Sequence, residues 1–318
     1  MVLSVSRRTD IPNYYSEWFL NRIKSGYLYV RNPMNPHQIS KINLSPQVVD
    51  CIVFWTKNPG PMLNRLEELK EYRYYFQFTL TGYGKDIEPG LPHKRDRMIG
   101  VFQELSHKIG REKVIWRYDP ILFNERYTPG YHLKAFTEIA EKLNGYTDKV
   151  VISFVDSYAK NQKRMEEIHE SGIDMPELAS FASEMKRISE ANHMDISSCA
   201  EKVDLSAYGI DHGSCIDQKL IEKILGCTIG GKKDKNQRVE CGCIESIDVG
   251  AYDTCPNHCL YCYAIQKPEA VMERRRLYDP KAGLLCGEIS EGDRITERKM
   301  YSLKEGQYHL FLEGIDTI

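Results

Sequence analysis

Residues 48–80 read VVDCIVFWTKNPGPMLNRLEELKEYRYYFQFTL, and this stretch decides the fold class. Two runs rich in Val, Ile and aromatic residues, 48–55 and 73–80, are typical of buried strands. Between them, residues 61–69 repeat apolar side chains at helical spacing. Because parallel strands are joined by a crossover that is usually a helix, the pattern predicts a strand–helix–strand unit of a parallel sheet.

The same unit repeats on both sides of this stretch. Further strands are predicted at 2–5, 113–118, 149–155 and 194–200, and further helices at 12–24, 98–105, 132–143 and 175–192. Right-handed crossovers between such units curl the sheet. We therefore predict an α/β fold, a partial or complete parallel (β/α) barrel of the TIM type. An open doubly wound sheet is the alternative, although the chain has no glycine-rich dinucleotide fingerprint.

The composition is that of an ordinary globular protein. The 318 residues are 42% hydrophobic and 28% charged, with a formal net charge of -2. This net charge does not indicate a surface that binds nucleic acid or membrane. The N-terminus lacks a signal-peptide apolar region, and no run approaches about 18 apolar residues. We expect a cytoplasmic protein that does not contact a membrane.

Eight of the ten cysteines fall between residues 199 and 262, and the last three form a motif. In a reducing cytoplasm such clustering indicates metal binding or catalysis rather than disulfides. Residues 253–264 read DTCPNHCLYCYA, so Cys255, Cys259 and Cys262 have the spacing C-x3-C-x2-C. Each thiolate can bind a different iron of a 4Fe–4S cluster, and three of them leave one iron open. The amino and carboxylate groups of S-adenosylmethionine can chelate that iron.

This motif resembles the signature of the radical S-adenosylmethionine superfamily, which has an aromatic residue just before the third Cys. The resemblance implies a partial (β/α) barrel, a 4Fe–4S cluster on Cys255, Cys259 and Cys262, and Tyr261 packed near the adenine of the cofactor. It also implies an enzyme that generates a 5′-deoxyadenosyl radical, which abstracts hydrogen from a substrate that the sequence does not identify. A reductase, flavodoxin or ferredoxin would supply the electron.

A second resemblance covers nearly the whole chain. The segments SRRTDIP, FWTKNP, WRYDPI and KDKNQR-x-x-CGC, and the triplet followed by YA, are similar to a bacterial family known as a domain of unknown function (DUF1848). The triplet here lies near the C-terminus, whereas in most of the superfamily it follows the first barrel strand. The segments WRYDP and YCY are locally similar to spore photoproduct lyase, a DNA-repair member of the superfamily.

Two other functions stay open at this point. One is repair or modification of nucleic acid by the same chemistry, which is not favoured because tyrosines on strands mostly pack in the core. The other is an iron–sulfur or zinc protein that senses redox state or transfers electrons. Zinc would take four ligands, for which Cys241, Cys243, Cys255 and Cys259 are the candidates.

Cys227 is assigned no role, and the four remaining clustered cysteines are Cys199, Cys215, Cys241 and Cys243. Together they make the ligand set of a second, fully coordinated 4Fe–4S cluster. The alternative is that Cys199 and Cys215 are small buried core residues, as free cysteines often are.

Polar residues follow the predicted strands, and in a (β/α) barrel these strand ends form the rim where sites are built. The candidates for contact with S-adenosylmethionine at these ends are Thr79, Arg117, Asp119 and Glu201. Of these, Arg117 suits the methionine carboxylate and Asp119 the ribose hydroxyls. The basic candidates for an anionic group on a substrate are Arg7, Arg8, Lys57 and Arg238. For each of them the alternative is a salt bridge or a cap in a solvated loop.

The pattern changes after about residue 210, where polar and Cys-rich sequence replaces the strand–helix repeat. We predict three parts: a (β/α) barrel-like domain at 1–210, a cluster-binding extension at 211–265 that closes over the barrel, and a peripheral tail at 266–318.

Overall fold

Strands and helices alternate along the chain, as the pattern at residues 48–80 predicts. The computed structural model describes residues 1–91, 95–156 and 161–305. The strands are β1 (Val2–Val5), β2 (Tyr27–Arg31), β3 (Gln38–Asn43), β4 (Cys51–Thr56), β5 (Tyr74–Thr79), β6 (Val114–Ile121), β7 (Lys149–Phe154), β8 (Asp195–Cys199), β9 (Asp211–Gly213), β10 (Ser246–Asp248) and β11 (Arg294–Glu297). The α-helices are α1 (Ile11–Tyr14), α2 (Ser16–Ser25), α3 (Arg95–Ile109), α4 (Pro129–Leu143), α5 (Gln162–Ile168), α6 (Met175–Ala191), α7 (Gln218–Leu225) and α8 (Pro268–Arg276). Three 3-10 helices span Gly60–Leu69, Arg111–Lys113 and Ser206–Tyr208.

Eight strands form one parallel sheet in the order β10-β1-β4-β5-β6-β7-β8-β9. From β1 to β8 the strands follow chain order, without the reversal that defines a doubly wound sheet. Within the described residues β9 and β10 are the two edges, so the sheet is not closed into a complete barrel. The fold is mixed α/β, and its sheet is consistent with the predicted partial (β/α) barrel.

The six strands predicted from the sequence are confirmed as β1, β4, β5, β6, β7 and β8. The helix predicted at 12–24 is instead split into α1 and α2 at Tyr15, whose backbone is not helical (φ -133°, ψ 20°). The segment 61–69 is a 3-10 helix rather than an α-helix. The sequence patterns also missed a second, three-stranded sheet in the order β11-β3-β2.

Alternate side chains of the large sheet pack on opposite faces, which is the two-residue period of a strand. One set packs with the helices in the main core: Leu3, Ile52, Phe54, Phe76, Phe78, Trp116 and Ile152. The other set packs in a separate core on the opposite face: Val2, Cys51, Val53, Tyr75, Ile115 and Val151. Cys51 is fully buried, as expected for a core residue.

The chain after residue 210 is integrated with the sheet. It supplies both edge strands, β9 and β10. Its side chains Ile216, Ile221 and Ile244 belong to the core opposite the helices, so this segment covers that face. The tail contributes α8 and β11. The division into a barrel domain, an extension and a tail stays a prediction. Among the described helices, none combines the length and apolar character needed to cross a membrane.

A fully buried histidine on α4 makes stability depend on pH. The ring nitrogens of His132 lie 2.8 Å from the Tyr118 hydroxyl and 2.9 Å from the Leu122 carbonyl oxygen. Burial lowers the pKa of His132 to about 4, so the fold holds the neutral ring while the unfolded chain, with a pKa near 6.5, takes up a proton as pH falls. Stability is therefore complete above about pH 6.5 and declines towards pH 4.

We expect a His132→Gln variant to lose less stability on acidification than the wild type. Between pH 7 and pH 5 the free energy of unfolding of the wild type should fall by about 2 kcal/mol more than that of the variant, because the variant has no ring to protonate. Urea unfolding at the two pH values measures this difference. Equal losses in the two proteins would contradict the assignment.

Candidate metal centre

A cavity of about 300 Å³ lies where the carboxyl ends of the parallel strands meet. Its lining contains seven of the eight clustered cysteines: Cys199, Cys215, Cys241, Cys243, Cys255, Cys259 and Cys262. It also contains most of the other predicted site residues: Arg7, Arg8, Lys57, Thr79, Arg117, Asp119, Arg238 and Tyr261. Of the residues predicted for the site, Glu201 alone is outside this lining.

The seven cysteines form two sets. The triplet loop, residues 253–265, carries Cys255, Cys259 and Cys262. The cysteine quartet is Cys199, Cys215, Cys241 and Cys243. In the part of the chain that the structure describes, no three His, Cys, Asp or Glu side chains form a group that could hold a single metal ion. A four-iron cluster has another requirement, because each of its irons takes one thiolate.

The triplet loop is hydrogen-bonded to the strand ends through Asp10. Its Asn257 donates from Nδ2 to Asp10 Oδ2 at 3.0 Å, and Asn257 Oδ1 accepts from the Tyr14 hydroxyl at 2.9 Å. Asp10 also accepts from the Thr56 hydroxyl at 2.6 Å and from the backbone N–H of Lys57 at 2.9 Å. These bonds join the ends of β1 and β4 to a loop that lies over 240 residues further along the chain.

The loop after β5 contacts the triplet loop through its backbone. The N–H of Gly90 donates to the Asn257 carbonyl at 3.0 Å, and the N–H of Leu260 donates to the Ile87 carbonyl at 2.9 Å. A Cβ atom at Gly90 would lie 2.1 Å from the Pro256 carbonyl oxygen. Glycine is therefore required at this position for the two loops to approach each other.

The segment at α5 contacts the other side of the triplet loop. The Arg164 guanidinium donates to the carbonyl oxygens of Cys262 at 2.7 Å and of Cys259 at 3.4 Å. Asn161 donates from Nδ2 to the Tyr261 carbonyl at 2.9 Å. The triplet loop is thus held from three directions. Sequence patterns missed Arg164 and Asn161, since neither belongs to a motif.

Before iron binds, the triplet thiols are uncharged because of their burial. Burial raises the pKa of Cys255, Cys259 and Cys262, that of Cys259 to about 12, although the Lys57 ammonium opposes the shift at Cys259. Thiols with these pKa values are protonated at neutral pH, so binding of iron by the triplet releases protons.

A buried carboxylate, Glu88, fixes two of the predicted residues. It accepts from Lys57 Nζ at 2.9 Å, from the Thr81 hydroxyl at 3.0 Å and from the Tyr261 hydroxyl at 2.5 Å. Burial opposes the charge on Lys57, but Glu88 outweighs it and raises the Lys57 pKa. Lys57, predicted to bind substrate, is therefore paired with Glu88, the same carboxylate that binds the Tyr261 hydroxyl. The sequence analysis missed Glu88, which lies in a loop without a motif.

The four cysteines of the quartet are linked by side-chain contacts from one to the next. The sulfurs of Cys199 and Cys215 lie 2.9 Å apart. The Cys243 thiol contacts those of Cys215 and Cys241, and these contacts lower its pKa. The contact with Cys215 lowers the pKa of Cys199 to about 7. Through these contacts Cys241 and Cys243 belong with Cys199 and Cys215 rather than with the triplet.

Arg117 and Asp119 form an ion pair beside the quartet. Arg117 Nε donates to Asp119 Oδ2 at 2.8 Å, and the Ser153 hydroxyl donates to Asp119 Oδ1. Arg117 Nη1 donates to Cys215 Sγ at 2.7 Å. Arg117 is thus directed towards the quartet.

Glu201 and Thr79 have different surroundings. Glu201 accepts the backbone N–H of Phe154 at 2.8 Å, and burial raises the Glu201 pKa to about 7. Its contact with the cavity is therefore indirect, through Phe154, which lines it. Thr79 lines the cavity at the end of β5.

The basic residues near the mouth of the cavity also differ in their contacts. The Arg8 guanidinium carbon lies 5.0 Å from the centre of the Tyr252 ring. Arg238 forms an ion pair with Asp156. Arg7 lies deeper, 5.2 Å from the centre of the Trp55 ring.

The comparison with known proteins identifies one family. A sequence profile described as Domain of unknown function (DUF1848) matches residues 2–264. No curated protein and no solved structure matches the chain. The matched range contains the whole parallel sheet and all eight clustered cysteines. Since it spans well over half of the sequence, the chain belongs to the DUF1848 family.

Proposed function

We propose that this chain is a radical S-adenosylmethionine enzyme that holds a 4Fe–4S cluster on Cys255, Cys259 and Cys262. One observation carries the proposal. The triplet lies far from the first barrel strand in sequence, yet its loop is hydrogen-bonded to Asp10 at the end of that strand. Its cysteines line the same cavity as the other strand ends, where a barrel builds its sites.

The donor set fits this cluster. Three thiols on one loop would supply soft ligands for three irons, and the fourth iron would be left for the amino and carboxylate groups of S-adenosylmethionine. When bound, the reduced cluster supplies the electron that cleaves the cofactor to methionine and a 5′-deoxyadenosyl radical. The chain itself binds and orients the cofactor and keeps water away. Glu88 contributes by fixing the hydroxyl of Tyr261.

The cofactor contacts follow from which predicted residues face the cavity. We keep Tyr261, Thr79 and Asp119 as contacts because all three line it. We assign Arg117 to the quartet, since its Nη1 already donates to Cys215. Glu201 keeps a supporting role through the backbone of Phe154.

The quartet fits a second, fully coordinated 4Fe–4S cluster. Its four thiols are in mutual contact, and the Arg7 and Arg117 guanidiniums beside them suit a cluster that is anionic overall. Arg8 and Arg238, nearer the mouth, are the proposed contacts for an anionic group on the substrate. A reductase, flavodoxin or ferredoxin is the proposed electron donor.

The proposal predicts that the protein cleaves S-adenosylmethionine reductively. After anaerobic reconstitution with iron and sulfide, dithionite and S-adenosylmethionine should give 5′-deoxyadenosine, which liquid chromatography with mass spectrometry detects. The same preparation without dithionite should give none, because the oxidised cluster has no electron to transfer. A preparation with intact reduced clusters that forms no 5′-deoxyadenosine would overturn the proposal.

A further inference from the structure

The indole of Trp55 lies against two buried cations beside the cysteine quartet. The guanidinium carbons of Arg7 and Arg117 each lie 5.2 Å from the centre of the Trp55 ring. Arg117 donates to Cys215 Sγ at 2.7 Å, and the charge on Arg7 acts on Cys243. We call Arg7, Trp55 and Arg117 the cationic wall. Arg7 follows β1, Trp55 lies near the end of β4 and Arg117 lies within β6, so the sheet itself brings them together.

Two hydrogen-bond donors of this wall have no acceptor. Arg7 Nη2 and Trp55 Nε1 are buried and have no hydrogen-bond partner among the described residues. Both residues line the cavity that the cysteines share. A buried donor without an acceptor is unfavourable, and here two such donors lie next to each other. This arrangement indicates a ligand that carries acceptor atoms and negative charge.

We propose that the cationic wall donates hydrogen bonds to the sulfur atoms of a 4Fe–4S cluster held by the quartet, and that it raises the reduction potential of that cluster. The inference rests on the second cluster of the proposed function. Four thiolates on an oxidised cube leave a net negative charge, which complements the two guanidiniums. Sulfide and thiolate sulfurs are the acceptors that the two unpartnered donors lack.

The direction of the effect follows from electrostatics. One-electron reduction of the quartet cluster by an external low-potential reductant adds one negative charge and breaks no bond. Nearby positive charge and hydrogen bonds to sulfur stabilise the more negative state, and both raise the potential. The triplet has different neighbours, because the Lys57 ammonium near Cys259 is paired with Glu88. The quartet cluster should therefore be reduced more readily than the triplet cluster.

The test is a redox titration followed by electron paramagnetic resonance on the reconstituted protein with both clusters loaded. The quartet signal is the one that added S-adenosylmethionine leaves unchanged. Trp55→Phe removes the indole N–H, and Arg7→Gln removes a charge together with its donors. Each should lower the reduction equilibrium constant of the quartet cluster at least tenfold, about 59 mV for one electron. Arg7→Lys keeps the charge and should shift it less.

The matched control is Trp18→Phe, because the Trp18 Nε1 already donates to the Ala282 carbonyl at 2.9 Å and lies in the main core. It should leave both potentials unchanged. Trp55→Phe and Arg7→Gln should still bind eight irons, about four per cluster. If their quartet potentials then stay at the wild-type value, the role of the wall is overturned and the second cluster is not. A wild-type protein that binds iron only at the triplet would instead overturn the second cluster of the proposed function.

Discussion

A Cys259→Ala variant is expected to form no detectable 5′-deoxyadenosine while it keeps about half of the iron of the wild-type protein. In the proposed function Cys259 supplies one of three thiolates to a cluster that already has one iron without a protein ligand, so its removal should leave two thiolates and the cluster should be lost. The quartet keeps its four thiols in contact and retains its iron. Iron analysis and the 5′-deoxyadenosine assay, run on the same anaerobic preparation, measure both outcomes.

The matched variant is Cys243→Ala. It removes one quartet ligand and leaves three quartet thiols, and it should still cleave S-adenosylmethionine because the triplet is intact. Cys51→Ala is the control for loss of a buried cysteine outside both sets, since Cys51 lies in β4 and is fully buried; it should keep all of the iron. Cleavage at the wild-type rate by Cys259→Ala would contradict the assignment of the triplet.

The sequence predicted the sheet well where strands are long and apolar. Runs such as 48–55 and 73–80 predict β4 and β5 because a parallel strand covered on both faces is almost continuously apolar. The edge strands β9 and β10 have three residues each, too few to show any period. Their place in the sheet is decided by tertiary packing of the segment after residue 210.

The candidate site likewise has residues that a sequence pattern marks and residues that only tertiary packing brings into place. The triplet could be singled out because cysteines that bind a cluster from one loop have a characteristic spacing. Glu88 was not, because its partner Tyr261 is 173 residues away and no local pattern marks either contact. Trp55 gave no signal for a further reason. Inside the strand pattern VVDCIVFW it is one more apolar residue. Its two guanidinium neighbours, and an N–H that finds no acceptor among the described residues, exist only in the folded chain.

The second large effect concerns where S-adenosylmethionine binds. The central claim is that the triplet, held against Asp10, Glu88 and Arg164, presents an open iron to the cofactor, whereas the quartet has no open iron. Cofactor atoms should therefore bond to one cluster and not to the other. Cys243→Ala, which keeps the triplet cluster, and Cys259→Ala, which keeps the quartet cluster, separate the two in one experiment.

The measurement is electron–nuclear double resonance on the reduced protein with S-adenosylmethionine isotopically labelled at the amino nitrogen and the carboxylate oxygens. We expect hyperfine coupling from both labels to the cluster in the wild type and in Cys243→Ala, and none in Cys259→Ala. Absence of coupling in a wild-type protein whose triplet cluster is intact and reduced, or coupling that persists in Cys259→Ala, would contradict it.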